Sequence, residues 1–438
     1  MLFATPPADN PPRRDNSLGR LLVAAAGLYF FVAPWSELFV VGGMRSSRLL
    51  GMLVLLMAGL ALLLRRTVVL AQFHRRLLLF YAWAFWTTAW AINPGLAAFG
   101  FWIMLKGLLL LLAVWQISHQ PRDYDRYLDL FVAGFIVSLL LTLPGPVAEI
   151  FNRATPGAMR FSGSLANPNV YAQMIAITLP LSIVRLRSST DPRVRLCHGL
   201  FRALGIVAVL GSGSRGGLVC MVFALGAMFL LERDNRLRGF VLAGVVAVGL
   251  LAASGLLPIS TAALERLGTL GQELTEGTWS SRKPIWEGGL QVLLDNPLLG
   301  VGLSNFNLAL APLFGEAKAA HNTYLDIATE TGLIGLTLFL LAFAALYRRV
   351  TLLAHLGNPG ARIAFFTLCI SALGTGHGHS QLTYCLLALM FGLGWVPRAA
   401  AASAYPAAAE DGSAPEPAGP ADSAEPAGVR ALHSRHHA

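Results

Sequence analysis

Apolar stretches long enough to cross a bilayer recur along this chain from residue 18 to residue 396. A hydrocarbon core ~30 Å thick takes roughly 20 apolar residues as helix. Backbone within it must satisfy its own hydrogen bonds. Repeated runs of this length therefore restrict the chain to an all-α polytopic membrane protein. Composition agrees: 55% of the 438 residues are hydrophobic and 13% charged, where a soluble domain carries about 25% charged residues. Length and hydropathy place twelve transmembrane helices, at 18–41, 47–64, 76–93, 97–118, 126–147, 168–186, 196–211, 214–232, 238–258, 325–346, 362–377 and 379–396. The first, LLVAAAGLYFFVAPWSELFVV, is too long for a cleaved signal peptide and lacks a small-residue cleavage pattern.

The net charge of +10 raises the question of nucleic acid. The arginines answer it by their position, because they cluster in alternate loops. Arg13 and Arg14 precede the first span, Arg65, Arg66, Arg75 and Arg76 follow the second, and Arg122 and Arg126 follow the fourth. Arg185, Arg187, Arg193 and Arg195 surround the end of the sixth, Arg233, Arg236 and Arg238 follow the eighth, and Arg348 and Arg349 follow the tenth. The positive-inside rule makes these loops cytoplasmic, with both termini on the same side, and no nucleic-acid partner is expected. The chain then divides into a cytoplasmic segment 1–17, nine spans within 18–258, a large outer loop 259–324, three spans within 325–396 and a tail 397–438. The Ala/Pro-rich tail cannot bury a core and is expected to be disordered. Cys197, Cys220, Cys369 and Cys385 fall in or beside spans at spacings that suit neither disulfides nor zinc.

Basic residues on the outer side run against this trend: Arg45, Arg48, Arg153, Arg160, Arg215, Arg266, Arg282, Lys283 and Lys318. Lipid headgroups account for some of them. Three stand in unusual surroundings. Arg160 opens RFSGSLANPNVYA, where Asn167, Pro168 and Asn169 turn into the sixth span. Arg215 lies in GSGSRGGLV, a glycine-rich reversal with Ser214 placed to cap the next helix. Arg282 precedes PIWEGGLQVLLDNP, read as an amphipathic surface helix with Ile285, Trp286, Leu290, Leu293 and Leu294 on one stripe. Guanidinium forks and a helix N-terminus suit phosphate oxygens, so three arginines meeting there would form a diphosphate site. The competing reading is headgroup contact or loop-to-loop ion pairs.

The stretch AHNTYLDIATETGLIGL puts His321, Asn322, Tyr324, Asp326 and Glu330 at the mouth of the tenth span. Intramembrane ionisable groups cost free energy unless they are paired or functional. His321, neutral at pH 7 when unperturbed, suits a general base for a sugar hydroxyl. Glu330 suits orienting a neighbour. Lys106, midway along a span, is expected to meet an interior partner. His377 and His379 could join His321 on a metal, but no acidic or cysteine ligand accompanies them.

RFSGSLANPNVYA, GSGSRGG, RKPIWEGGLQVLLDNPLLGVGLSNF and AHNTYLDIATETGLIGL together resemble the O-antigen ligase / O-antigen polymerase superfamily of bacterial envelope glycosyltransferases. The resemblance implies a GT-C-like fold with a periplasmic helical loop layer, in the bacterial inner (cytoplasmic) membrane. It implies an inverting transfer from undecaprenyl diphosphate, with neither metal nor other cofactor. Arg160, Arg215 and Arg282 would hold the diphosphate, and His321 would deprotonate the acceptor. Arg266, Lys283, Asn167, Asn169, Asn322 and Tyr324 are further candidates for substrate contact. The partners would be undecaprenyl-diphosphate-linked O-antigen, lipid A–core oligosaccharide and membrane lipids. The ligase is the expected activity, with a polymerase or a protein O-oligosaccharyltransferase of the same superfamily as alternatives. A lipid-linked sugar flippase is disfavoured, because it would need paired interrupted helices and a charged central cavity.

Overall fold

Helix is nearly all the regular structure in the computed structural model, which describes residues 17–65, 68, 70–118, 120–142, 163–165, 167–231, 282–315, 318–355, 359–377 and 380–393. Its helices are α1 (Ser17–Val32), α2 (Ser46–Arg65), α3 (Gln72–Trp86), α4 (Pro94–Ile117), α5 (Pro121–Thr142), α6 (Pro168–Ser188) and α7 (Pro192–Gly211). There follow α8 (Arg215–Leu231), α9 (Lys283–Asp295), α10 (Phe306–Phe314), α11 (Thr323–His355), α12 (Gly360–Ala372) and α13 (Gln381–Leu393). A two-residue hairpin, β1 (Val40–Val41) with β2 (Met44–Arg45), links α1 to α2. Among the described residues, five segments are long and apolar enough to cross a membrane: Ser17–Trp35, Pro94–Ile117, Pro168–Ser188, Pro192–Gly211 and Thr323–Leu352. Shorter apolar helices accompany them at Arg48–Leu63, Arg215–Leu231, Gly360–Ala372 and Gln381–Leu393.

Each expected span contains a described helix except 238–258, which lies outside the described residues. Two boundaries differ for backbone reasons. The first helix closes in a 3-10 turn, Ala33–Trp35, because Pro34 cannot continue the ladder. The eleventh expected span stops at Ala372 rather than 377, where Gly374 and Gly376 begin an irregular segment.

The centre of the bundle is α6. Every residue from Tyr171 to Ile183 is buried, so this helix is enclosed by its neighbours on all sides. Its polar members are engaged locally or across the core: the Thr178 hydroxyl donates to the Met174 carbonyl, and Ser182 meets Nδ1 of His198 at 2.9 Å.

The arginine-rich ends share one rim, where α5, α6 and α7 are tied together by charge. Asp129 on α5 takes a bidentate fork from Arg185 at 2.8 Å, and Nε2 of His198 approaches the same carboxylate at 2.9 Å. Lys106 does not find the interior partner expected of it. Its Nζ stands 5.8 Å from the ring of Trp102, one turn earlier on α4, and that indole is 56% exposed. A cation–π contact on an outer face replaces a buried pair.

The opposite rim is built by the motif that follows α9. Gly332 breaks α11 with φ 70° and ψ −178°, and the break frees backbone groups that must be paired. Residues 297–302 and α3 take them up. Val301 N–H donates to the Thr329 carbonyl, Gly302 N–H to that of Glu330, and Leu333 N–H to that of Pro297. The indole of Trp83 donates to Thr331. Asn305, fully buried, accepts from Asn93 N–H and donates to the Leu303 carbonyl. The Glu330 carboxylate accepts from Phe306 N–H at 3.3 Å, so it holds this clasp in place. The buried face of α9 is Gly288 and Gly289, with Ile285 beside them against α10. Leu290 and Leu294 of the expected stripe point outward at 51% and 69% exposure.

Candidate functional site

Several helices begin at this second rim, and their N-terminal N–H groups concentrate positive potential there. Side chains cap them. The Asn167 carbonyl accepts from Asn169 and Val170 N–H, the Ser214 hydroxyl from Gly217 N–H, and the Asn322 carbonyl from Tyr324 and Leu325 N–H. Asn167 and Asn322 thus spend their side-chain oxygens on capping α6 and α11. Asn169 is half-buried in the first turn of α6. The Tyr324 hydroxyl donates to the Cys369 carbonyl at 3.2 Å, pinning α11 to α12.

Arg282 is the N-cap residue of α9, and its Nη1 donates to the carbonyl of Gly374 at 2.8 Å. Lys283, next to it, is exposed. Arg215 is the first residue of α8 and is half-buried. The backbones at Gly216 on α8 and at Gly374 both approach Gln173 on α6. A Cβ at Gly216 would stand 2.8 Å from the Gln173 Nε2, and one at Gly374 would stand 3.7 Å from the same nitrogen and 3.6 Å from Arg282 Nη1. Gly216 is therefore where the backbone of α8 comes against the amide without a side chain between. Arg160 and Arg266 lie outside the described residues.

His321 does not share a helical face with Tyr324 and Glu330. It precedes α11 with φ 49°, a left-handed conformation uncommon for any residue with a side chain. The turn leaves the ring exposed at the rim. Surrounding protein partly desolvates the imidazole and lowers its pKa, and the nearby charge of Arg282 lowers it further. Both effects favour the neutral ring, the form that can accept a proton. Asp326, one turn into α11, closes this side of the site: its Oδ2 would lie 3.3 Å from a Cβ at Gly376.

Three contributors were not apparent from the sequence: Gln173, the Gly374–Gly376 segment, and a buried chain of Ser371, His377 and Thr383 behind Gln173. A lone amide in the otherwise apolar VYAQMIAI was the available signal for the first. His377 is 4% exposed and both ring nitrogens meet hydroxyls, at 2.7 Å for Ser371 and 3.3 Å for Thr383. That engagement occupies both ring nitrogens within the protein. His379 lies outside the described residues.

Residues 200–340 match the family model for O-antigen ligase. That match supports the O-antigen ligase and polymerase superfamily. The match runs from within α7 to within α11, so it contains Arg215, Arg282 and His321. No curated protein matches the chain. Five segments long and apolar enough to cross a membrane accord with a multi-pass membrane protein of that family.

Proposed function

We propose that this protein is an O-antigen ligase. In this reading it moves O-polysaccharide from undecaprenyl diphosphate onto lipid A–core oligosaccharide at the periplasmic face of the bacterial inner membrane. The supporting observation is that His321 stands close enough to Arg282 for the guanidinium charge to depress its basicity. In this reading the proton acceptor lies within electrostatic reach of a cation that binds the diphosphate. The acceptor hydroxyl loses its proton to His321 and its oxygen attacks the anomeric carbon. The bond from that carbon to the phosphate oxygen breaks, and undecaprenyl diphosphate leaves as an anion held by Arg215 and Arg282. Displacement from the opposite face inverts the anomeric centre.

A diphosphate is already a good leaving group, so positioning and charge stabilisation are what the site must supply. Arginines do so without a metal or a nucleotide. Arg160 and Arg266 complete the cationic seat in this reading, and Lys283, Asn169, Asn322 and Tyr324 border it. Twelve spans in a GT-C-like arrangement, with both termini cytoplasmic, put the rim of His321 on the periplasmic side.

Reconstitution in liposomes with a glycan on undecaprenyl diphosphate tests the assignment. Lipid A–core is offered as one acceptor and a second lipid-linked glycan as the other. Product on lipid A–core alone is expected. Product only on the second glycan would make the protein a polymerase, and movement of donor across the bilayer without transfer would make it a flippase. Transfer unaffected by His321→Ala would remove the base assignment.

A further inference from the structure

Viewed down its axis at 3.6 residues per turn, α9 divides into three sectors. Gly288 and Gly289 are buried, with Ile285 and Val292 half-buried on the same side. Glu287, Gln291 and Asp295, four residues apart, form an exposed polar row. Leu290 and Leu294 fill the third sector and point outward, with Trp286 and Leu293 half-buried between them and the bundle. Leucines facing water contribute nothing to stability, whereas at a lipid boundary the same side chains are stabilising. A helix with one packed sector, one polar sector and one exposed apolar sector fits the boundary between water and hydrocarbon.

The apolar exposure continues past the helix. Leu298 and Leu299 follow at 60% and 47%. Their backbone is tied to membrane-spanning segments on two sides. The Leu299 carbonyl accepts from the Trp90 indole at 3.2 Å, and the Val301 carbonyl accepts from Ile92 N–H at 3.1 Å, just before the span Pro94–Ile117 begins. The Pro297 carbonyl accepts from the N–H of Leu333, which lies inside the apolar segment Thr323–Leu352. These ties set Leu298 and Leu299 at the level where the two segments enter the bilayer. Exposed side chains on the tied segments, Trp86, Ile92, Leu96 and Leu333, continue the same surface, and tryptophan is enriched at that level.

We propose that the outward face of α9, Leu290 and Leu294 continuing into Leu298 and Leu299, is a lipid-docking surface that rests in the bilayer interface, with Glu287, Gln291 and Asp295 turned to water. Lipid is the occupant because the leucine face joins the membrane-facing surface of α4 and α11 through the hydrogen bonds above. Lying along the interface, α9 keeps Arg282, its N-cap residue, at headgroup level. The placement holds whichever reaction the rim carries.

Site-specific photo-cross-linking tests this on the full-length protein in phosphatidylethanolamine–phosphatidylglycerol nanodiscs. p-Benzoylphenylalanine replaces Leu290, Leu294 or Leu298, and in comparison variants Gln291 or Asp295. Phe99, exposed on α4, calibrates the yield of a lipid-facing position. Lipid adducts at the Phe99 level are expected at the three leucines, with little at Gln291 and Asp295. Hydrogen exchange gives an independent readout. Leu290→Ser with Leu294→Ser should speed exchange of the α9 amides about tenfold, because the helix loses apolar area held by lipid. Gln291→Ser with Asp295→Ser, which places the same residue type on the polar row, should not. Adducts from the leucines to residues 259–281 or to a second copy in place of lipid would overturn the proposal. Equal lipid yields on the leucine and polar rows, or exchange that the leucine pair leaves unchanged, would do the same.

Discussion

Arg282 donates from Nη1 to the carbonyl oxygen of Gly374 at 2.8 Å, joining the start of α9 to the segment after α12 across 92 positions. One nitrogen tied to backbone fixes the plane of the guanidinium before any ligand arrives, and such preorganisation lowers the entropy lost on binding. A lysine ammonium on its flexible stem cannot hold that carbonyl and present a fork to a diphosphate together. Arg282→Lys should therefore weaken geranylgeranyl diphosphate binding about tenfold while preserving charge. Titration against the wild-type protein checks this; equal affinities would show that charge alone suffices.

The acid limb of the transfer rate follows from His321. Its pKa in the folded protein lies below the ordinary 6.5, first from desolvation and second from Arg282. A lowered pKa means that the proton-accepting form survives as pH falls through 6.5 and is lost only below it. The rate should then decline with a midpoint under 6.5. Arg282→Gln removes the second cause, so the midpoint should move up toward 6.5 in whatever activity remains. Initial rates at saturating donor between about pH 4.5 and 8 test both statements. A wild-type midpoint above 6.5 would count against His321 as the base.

At the other rim, Asp129 answers both Arg185 and His198. Arg185 and Asp129 are 16% and 21% exposed and His198 is fully buried. Asp129→Ala would leave a guanidinium and an imidazole without their shared acceptor, at a cost of about 2 kcal/mol, less than the 3–5 of a wholly buried pair. Thermal unfolding in detergent should show the loss. The donor affinity of the folded protein should stay unchanged, because this cluster lies at the end of the bundle away from His321. A selective fall in donor affinity would mean that the two rims are coupled.

Helix placement was legible in the sequence because bilayer thickness imposes one length on every span. Arg215 and Arg282 stood out in the sequence for a related reason: charge on the flank expected to be poor in charge needs an explanation. Gln173 was hidden, since a single amide inside an apolar run does not disturb hydropathy. The orientation of α9 was hidden as well. Its leucines suggest a buried stripe, but Gly288 and Gly289 allow closer packing and take the inner face. The left-handed φ of His321 carries no sequence signal, because histidine is not a residue that such a conformation requires.

The break in α11 shows how a conformation invisible to periodicity supports the site. Gly332, with φ 70° and ψ −178°, occupies a region that essentially only glycine enters. A Cβ there would also be driven into the carbonyl oxygen of Leu298. The freed carbonyls of Thr329 and Glu330 accept Val301 and Gly302 N–H, and the free N–H of Leu333 reaches Pro297. Removing the break would therefore detach the clasp that carries Glu330 and its contact with Phe306. Gly332→Ala combines about 1–3 kcal/mol of backbone strain with the steric conflict. It should lower the melting temperature more than Gly59→Ala on α2, where a Cβ meets nothing within 4 Å. Side-by-side unfolding of the two variants in detergent is the measurement. If Gly332→Ala melts no lower than Gly59→Ala, the break is not what anchors residues 297–302 beneath the site.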